Sequence, residues 1–148
     1  MEKTIQRLVL ADDDLDDCSF FREALEEIPV AVSLTVVHDG VELMRFLSNN
    51  HDNLPDLLFL DLNMPRKTGF ECLTEIKAHD KLKYLPVIIY STSLDIDVLN
   101  LLHEKGAGYY VRKPGDFSKL KKVIHEAILI SSQGIANSPS REKFVLQP

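Results

Sequence analysis

Residues 57–65 read Leu-Leu-Phe-Leu-Asp-Leu-Asn-Met-Pro. Four consecutive apolar residues leave no alternation that would keep one strand face wet, so Leu57 to Leu60 predicts a strand buried on both faces, as in a parallel sheet covered by helices. The run stops at Asp61, and Pro65 lies just beyond it. An acid at the carboxyl end of such a strand lies where doubly wound sheets bind their ligands.

Similar short runs recur on either side. Arg7 to Ala11, Ser33 to His38, Val87 to Tyr90 and Tyr109 to Val111 are the other strand candidates, and LVLA and VIIY are almost wholly apolar. Between them lie stretches of i, i+3, i+4 spacing: Phe21, Ala24, Leu25 and Ile28 in the first, Phe70, Leu73 and Ile76 in the third. The last carries Leu120, Val123, Ile124, Ala127 and Ile128 toward the sheet and Lys119, Lys121, Lys122 and Glu126 toward water. Pro29 ends the first helix and Pro86 introduces the fourth strand. Alternating β and α segments with right-handed crossovers predict an α/β fold, a doubly wound five-stranded parallel sheet in the flavodoxin-like order 2-1-3-4-5. Residues 5–130 form the single domain. Residues 131–148, SSQGIANSPSREKFVLQP from Ser131, read as a C-terminal tail with the composition of a mobile segment, whose final FVL is apolar enough to dock on the domain or a partner.

Composition narrows the function. The 148 residues suffice for one core, and 45% hydrophobic with 27% charged residues matches a soluble globular chain. A net charge of -6 opposes binding to phosphate backbones, so nucleic acid is not an expected partner. No apolar run is long enough for a membrane span, and the N-terminus lacks the pattern of a secretory signal. Cys18 and Cys72 lack metal-ligand spacing and fall in predicted helices, which suits reduced packing residues of a cytoplasmic protein.

The strand ends carry the chemistry. The first ends in Asp12, Asp13 and Asp14, the third in Asp61, the fourth in Ser91, Thr92 and Ser93, and the fifth in Arg112, Lys113 and Pro114. Acids gathered in one crevice repel and stay ionised only with a compensating cation. Mg²⁺ meets that need with carboxylates, a carbonyl, waters and phosphate oxygens. Asp13 and Asp61 fit as direct ligands, Asp12 as an outer-shell one, and the Asn63 carbonyl as a further oxygen. Lys113 adds a positive charge and Ser91 a hydroxyl. Such parts suit phosphoryl transfer, with Asp61 as a nucleophile that forms an aspartyl phosphate. Against this stand plainer roles: Asp14 and Asp95 as helix N-caps, and Asp16 and Asp17 as first-turn acids that are structural or solvated.

ADDD after the first strand, DLNMP after the third, a hydroxyl residue after the fourth and YVRKP at the fifth together resemble the receiver domains of two-component response regulators, over about residues 5 to 130. The stretch HDKLKYLPVIIYSTS is similar to small single-domain regulators of the phytochrome-associated type. The resemblance implies that a sensor histidine kinase or phosphotransfer protein phosphorylates Asp61. It makes Asp12 and Asp13 the acidic metal pair, Lys113 a phosphoryl contact, and Ser91 with Tyr110 the switch that reshapes the face of the fourth helix, fifth strand and last helix. In that switch Tyr110 exchanges an exposed rotamer for an inward one. Homodimerisation through that face fits the same pattern. Ser91, Thr92 and Gly115 depart from the common residues, and Ser91 keeps the hydroxyl.

Other readings are weaker. A haloacid-dehalogenase-like phosphatase wants an acid two residues after the nucleophile, where this chain has Asn63. A flavodoxin-like cofactor carrier would bring phosphate against Asp12, Asp13 and Asp14. A non-phosphorylated receiver-like interaction module would lack an acid, the acceptor or the lysine, and all are present.

Overall fold

Leu8 to Ala11 are buried whichever way their side chains point, and so are all of Leu57 to Leu60. The computed structural model, which describes residue 5 and residues 7–92, 95–133, 140 and 143–147, shows why. Strands β1 (Arg7–Ala11), β2 (Ser33–Val37), β3 (Leu57–Leu60), β4 (Val87–Ser91) and β5 (Tyr109–Arg112) pair in parallel, with helices on both faces. The helices are α1 (Leu15–Glu26), α2 (Gly40–Asn49), α3 (Gly69–Ala78), α4 (Ile96–Glu104) and α5 (Phe117–Ser132).

The strand period of two divides the core. Val9, Ala11, Leu58, Leu60, Val87, Ile89 and Tyr110 face α2, α3 and α4, meeting Leu43, Leu47, Leu73, Ile76, Leu99 and Leu102. Leu8, Leu10, Leu57, Phe59, Ile88, Tyr90 and Val111 face α1 and α5, meeting Phe21, Leu25, Leu120, Val123 and Ile124. Phe21, Phe59 and Tyr90 form a cluster of edge-to-face rings beneath the strand ends, with centroids 5.0 to 6.1 Å apart.

The strand order is β2-β1-β3-β4-β5, as expected, but a sixth strand follows. Strand β6 (Val145–Leu146) lies parallel to β5, pairing Tyr110 with Val145 and Val111 with Leu146. The expected five-stranded sheet is thus a six-stranded one. The Tyr110 N–H donates to the Phe144 carbonyl at 2.9 Å, and Phe144 is fully buried beside the rings of His103 and Tyr110. The terminal apolar triplet therefore docks on the domain. Sequence periodicity missed it because a two-residue strand shows none.

Chain reversal puts the carboxyl ends of β1, β3, β4 and β5 at one edge. Asp14 caps α1 by accepting from the Asp17 N–H at 3.0 Å, and Asp95 caps α4 through the Asp97 and Val98 N–H groups. Both acids thus take the structural role. Among the described residues no helix is long and apolar enough to cross a membrane.

Candidate functional site

The crevice starts where β1 and β3 run out. The Asp12 N–H donates to the Val37 carbonyl at 3.0 Å and the Asp61 N–H to the Ala11 carbonyl at 2.9 Å, so sheet hydrogen bonding fixes both backbones. Asp12 is completely buried, Asp61 nearly so, and Asp13 faces solvent. Each offers an oxygen, and the three oxygens lie within 4.8 Å of one another. One Asp12 oxygen accepts from the Asp14 N–H and one Asp61 oxygen from the Asn63 N–H. The other Asp12 oxygen, Oδ2, is buried without a hydrogen bond of good geometry, although the Lys113 ammonium stands 2.7 Å away. A buried anionic oxygen short of hydrogen bonds, beside an exposed and a buried carboxylate, is the donor set that a hard divalent cation accepts.

Lys113 enters from the end of β5. Its N–H donates to the Ser91 carbonyl at 2.8 Å, which ties the fifth strand's end to the fourth's. The stem passes the Tyr90 ring, with Nζ 5.3 Å from its centroid. Nζ then meets Asp12 Oδ2 at 2.7 Å, Asp17 Oδ2 at 2.9 Å and Asp61 Oδ2 at 3.3 Å, with only 8% of the side chain exposed. Asp17, expected to be structural or solvated, is thus part of the site. The available signal was helical geometry: side chains in a first turn lean toward the helix N-terminus, here the strand end.

Burial raises the Asp61 carboxyl to about 6; the Lys113 charge opposes that rise and Asp12 adds to it. Burial works against the Lys113 charge, yet the Asp12 and Asp17 carboxylates prevail and hold its pKa above the ordinary lysine value. Cys18, whose thiol donates to the Asp12 carbonyl, is pushed up to about 12 by burial, and so is Cys72. Neither is a reactive thiolate.

Ser91 is fully buried at the end of β4, beside Arg112 in the sheet register. Thr92 is exposed, and Ser93 lies outside the described residues. Tyr110 is inward-facing and covered by Phe144, in place of the exposed rotamer expected before any signal. Asn63 opens the loop between β3 and α3, which the buried Met64 anchors and the Gly69 N–H closes on the Leu62 carbonyl at 2.9 Å.

Residues 8–125 match the response regulator receiver domain family. The chain belongs to this family. This receiver is 31% identical over 121 residues to the response regulator Rcp1 of Synechocystis sp., a match spanning 79% of this chain and 82% of that one. The crystal structure of the Mn²⁺-bound form of Rcp1 superposes with a TM-score of 0.74 at 28% identity, covering 91% of this chain and 99% of that one. That of the phosphorylated cyanobacterial phytochrome response regulator RcpA gives 0.76 at 33% identity with the same coverage. The transcriptional regulator NtrC of Escherichia coli is 31% identical over 116 residues, but these are only 24% of its length. The protein is therefore a receiver of two-component signalling, related to regulators rather than to classical enzymes. Its acidic trio fits the divalent metal that receivers bind, and receivers take phosphoryl groups from histidine kinases or phosphotransfer proteins.

Proposed function

We propose that Asp61 is the phosphoacceptor of a signalling switch. The observation that carries this reading is Lys113 Nζ reaching Asp12 and Asp61 at the ends of three different strands, with Asp13 alongside. Near neutral pH Asp61 is mostly ionised. One of its oxygens attacks the phosphorus of a phosphohistidine or a small acyl phosphate. The bond to the leaving imidazole or carboxylate breaks, its electron pair departs with that group, and an aspartyl phosphate forms.

Asp13, Asp61 and the Asn63 carbonyl would hold Mg²⁺, with Asp12 in an outer position. The ion supplies charge neutralisation for the phosphoryl oxygens. Lys113 supplies a second cation for the phosphoryl group, and the Ser91 hydroxyl a hydrogen-bond donor. Because nucleophile and cation are built in, transfer is self-catalysed, and slow autodephosphorylation returns the acceptor. The new charge draws Ser91 toward it, and Tyr110, paired with Ile89 two residues before Ser91 on β4, carries the change to the face of α4, β5 and α5. Ile96 and Leu101 on α4 and Leu129 on α5 are exposed and suit a protein partner or a second copy there. In this reading the switch acts in the cytoplasm, on protein partners rather than on nucleic acid or membrane. Residues 5–130 form the receiver proper, and the terminal segment closes its sheet edge.

The test is labelling with acetyl phosphate and Mg²⁺. One phosphoryl group per chain is expected, and none on Asp61→Asn. Stoichiometric labelling of that variant puts the nucleophile elsewhere.

A further inference from the structure

Gly40 is the first residue of α2, and its backbone lies outside the left-handed region, so conformation does not require glycine there. Space does. A Cβ at Gly40 would stand 2.1 Å from the Lys67 carbonyl oxygen and 2.6 Å from the Lys67 Cβ, separations no pair of such atoms sustains. Lys67 belongs to the loop between β3 and α3, the loop that carries Asn63. Asp39, just before Gly40, holds the same loop by charge: Oδ1 accepts from the Glu42 N–H at 2.7 Å, and Oδ2 pairs with Arg66 Nη1 at 3.3 Å. Arg66 has φ 69 and is the one non-glycine residue with positive φ among the described residues. A side chain in that region is unfavourable unless its surroundings hold it there. From α3, the Cys72 thiol donates to the Gly40 carbonyl at 3.6 Å.

The far end of the loop is equally close-fitted. Gly69 approaches Asp61 so nearly that a Cβ there would lie 2.0 Å from the Asp61 carbonyl oxygen. Residues 62–68 are thus held between Asp61 and the start of α2, and displacement of Lys67 has little slack to absorb it before Asn63.

We infer that Asp39 and Gly40 position the phosphoacceptor loop, and that Gly40 is a positioning residue for the metal and phosphoryl site. The inference rests on the assignment of Asp61 and Asn63 made above. Any side chain at residue 40 must push the Lys67 carbonyl outward by on the order of 1 Å, a misplacement that costs a positioned site about a hundredfold.

The test compares full-length Gly40→Ala, Asp39→Asn and Leu47→Ala, reading thermal stability and Mn²⁺ affinity by electron paramagnetic resonance. Leu47 is buried on the same helix, so its truncation destabilises through a cavity without touching the loop. Asn still caps a helix, so Asp39→Asn removes the Arg66 charge pairing while sparing α2. Expected is Mn²⁺ binding weakened tenfold or more by Gly40→Ala and severalfold by Asp39→Asn, with Leu47→Ala binding as wild type at temperatures where each is folded. Wild-type affinity in folded Gly40→Ala overturns the inference, as does equal weakening in Leu47→Ala. If Gly40→Ala does not fold, wild-type affinity in Asp39→Asn overturns it. Asp13→Asn separates the two ideas: unchanged Mn²⁺ binding in that variant sinks the site assignment itself.

Discussion

Lys113 and Asp12 form the tightest ion pair of the site, with Nζ 2.7 Å from Asp12 Oδ2 against 3.3 Å from Asp61 Oδ2. Asp12 is fully buried and that oxygen has no well-angled hydrogen bond, so the ammonium is the charge that offsets its burial. The lysine therefore has two tasks: it offsets the repulsion among the buried acids, and it stands ready beside the acceptor.

Replacing Lys113 by Met should accordingly destabilise the metal-free protein by roughly 3–5 kcal/mol at pH 7.5, the usual effect of removing one partner of a buried pair. Without the ammonium, which opposes the rise that burial causes, the Asp61 carboxyl goes still further above its ordinary value. The native state then binds more protons than the unfolded one, and stability recovers as pH falls toward 4. Melting curves in chelator at pH 7.5 and pH 5 check this: the deficit relative to wild type should shrink at pH 5. A deficit that grows there contradicts the account.

Asp13 is the exposed member of the acidic trio. Asp13→Asn should relieve repulsion while removing a ligand, so metal-free stability and Mg²⁺ affinity move in opposite directions. Solvent screening keeps the gain small, well under a degree to a few degrees of melting temperature, whereas affinity should fall at least tenfold. Calorimetric Mg²⁺ titration with melting in chelator reads both. A lower metal-free melting temperature means that Asp13 is not the repelled ligand described here.

Asp61 sets a pH dependence of known sign. Burial raises its carboxyl to about 6, with Lys113 opposing. A folded pKa above the ordinary value of about 4 means the native state holds this proton more tightly. Its stabilising contribution is complete below about pH 4 and is lost as pH rises to about 6. Asp61→Asn does not titrate, so in chelator its stability relative to wild type should climb through that window by roughly 2–3 kcal/mol. Mg²⁺ should narrow the gap by stabilising only wild type. A relative stability flat from pH 4 to pH 7 would show that the carboxyl is not raised.

Much of this was legible in the sequence, and the reasons differ by residue. LLFL and VIIY announce strands buried on both faces because a parallel sheet permits no polar alternation. Asp12, Asp61 and Lys113 could be grouped in advance because strand ends of a doubly wound sheet converge on one edge. Asp17 read as a solvated first-turn acid because its pairing with Lys113 spans 96 positions of sequence, which left only the lean of first-turn side chains toward the strand end as a signal. Gly40 reads as an ordinary residue after an N-cap, since a close approach by Lys67 leaves no trace in composition. Strand β6 was hidden for a related reason: its stability comes from Tyr110 and His103 rather than from its own two residues.

That dependence yields the last prediction. Phe144 is fully buried, its ring centroid 5.2 Å from His103 and 6.5 Å from Tyr110, and its carbonyl accepts from the Tyr110 N–H. Phe144→Ala removes the large side chain that holds the strand to the sheet, a loss worth about 3 kcal/mol when a ring is buried in a core and less where the segment can peel away instead. Peeling exposes the Tyr110 amide, whereas the Ile89 amide, on the central strand, stays protected by the rest of the sheet. Hydrogen exchange should therefore show the Tyr110 amide accelerated by an order of magnitude or more in Phe144→Ala, with the Ile89 amide nearly unchanged. Equal acceleration at both positions would mean that the variant weakens the whole domain and that β6 is not a separable edge.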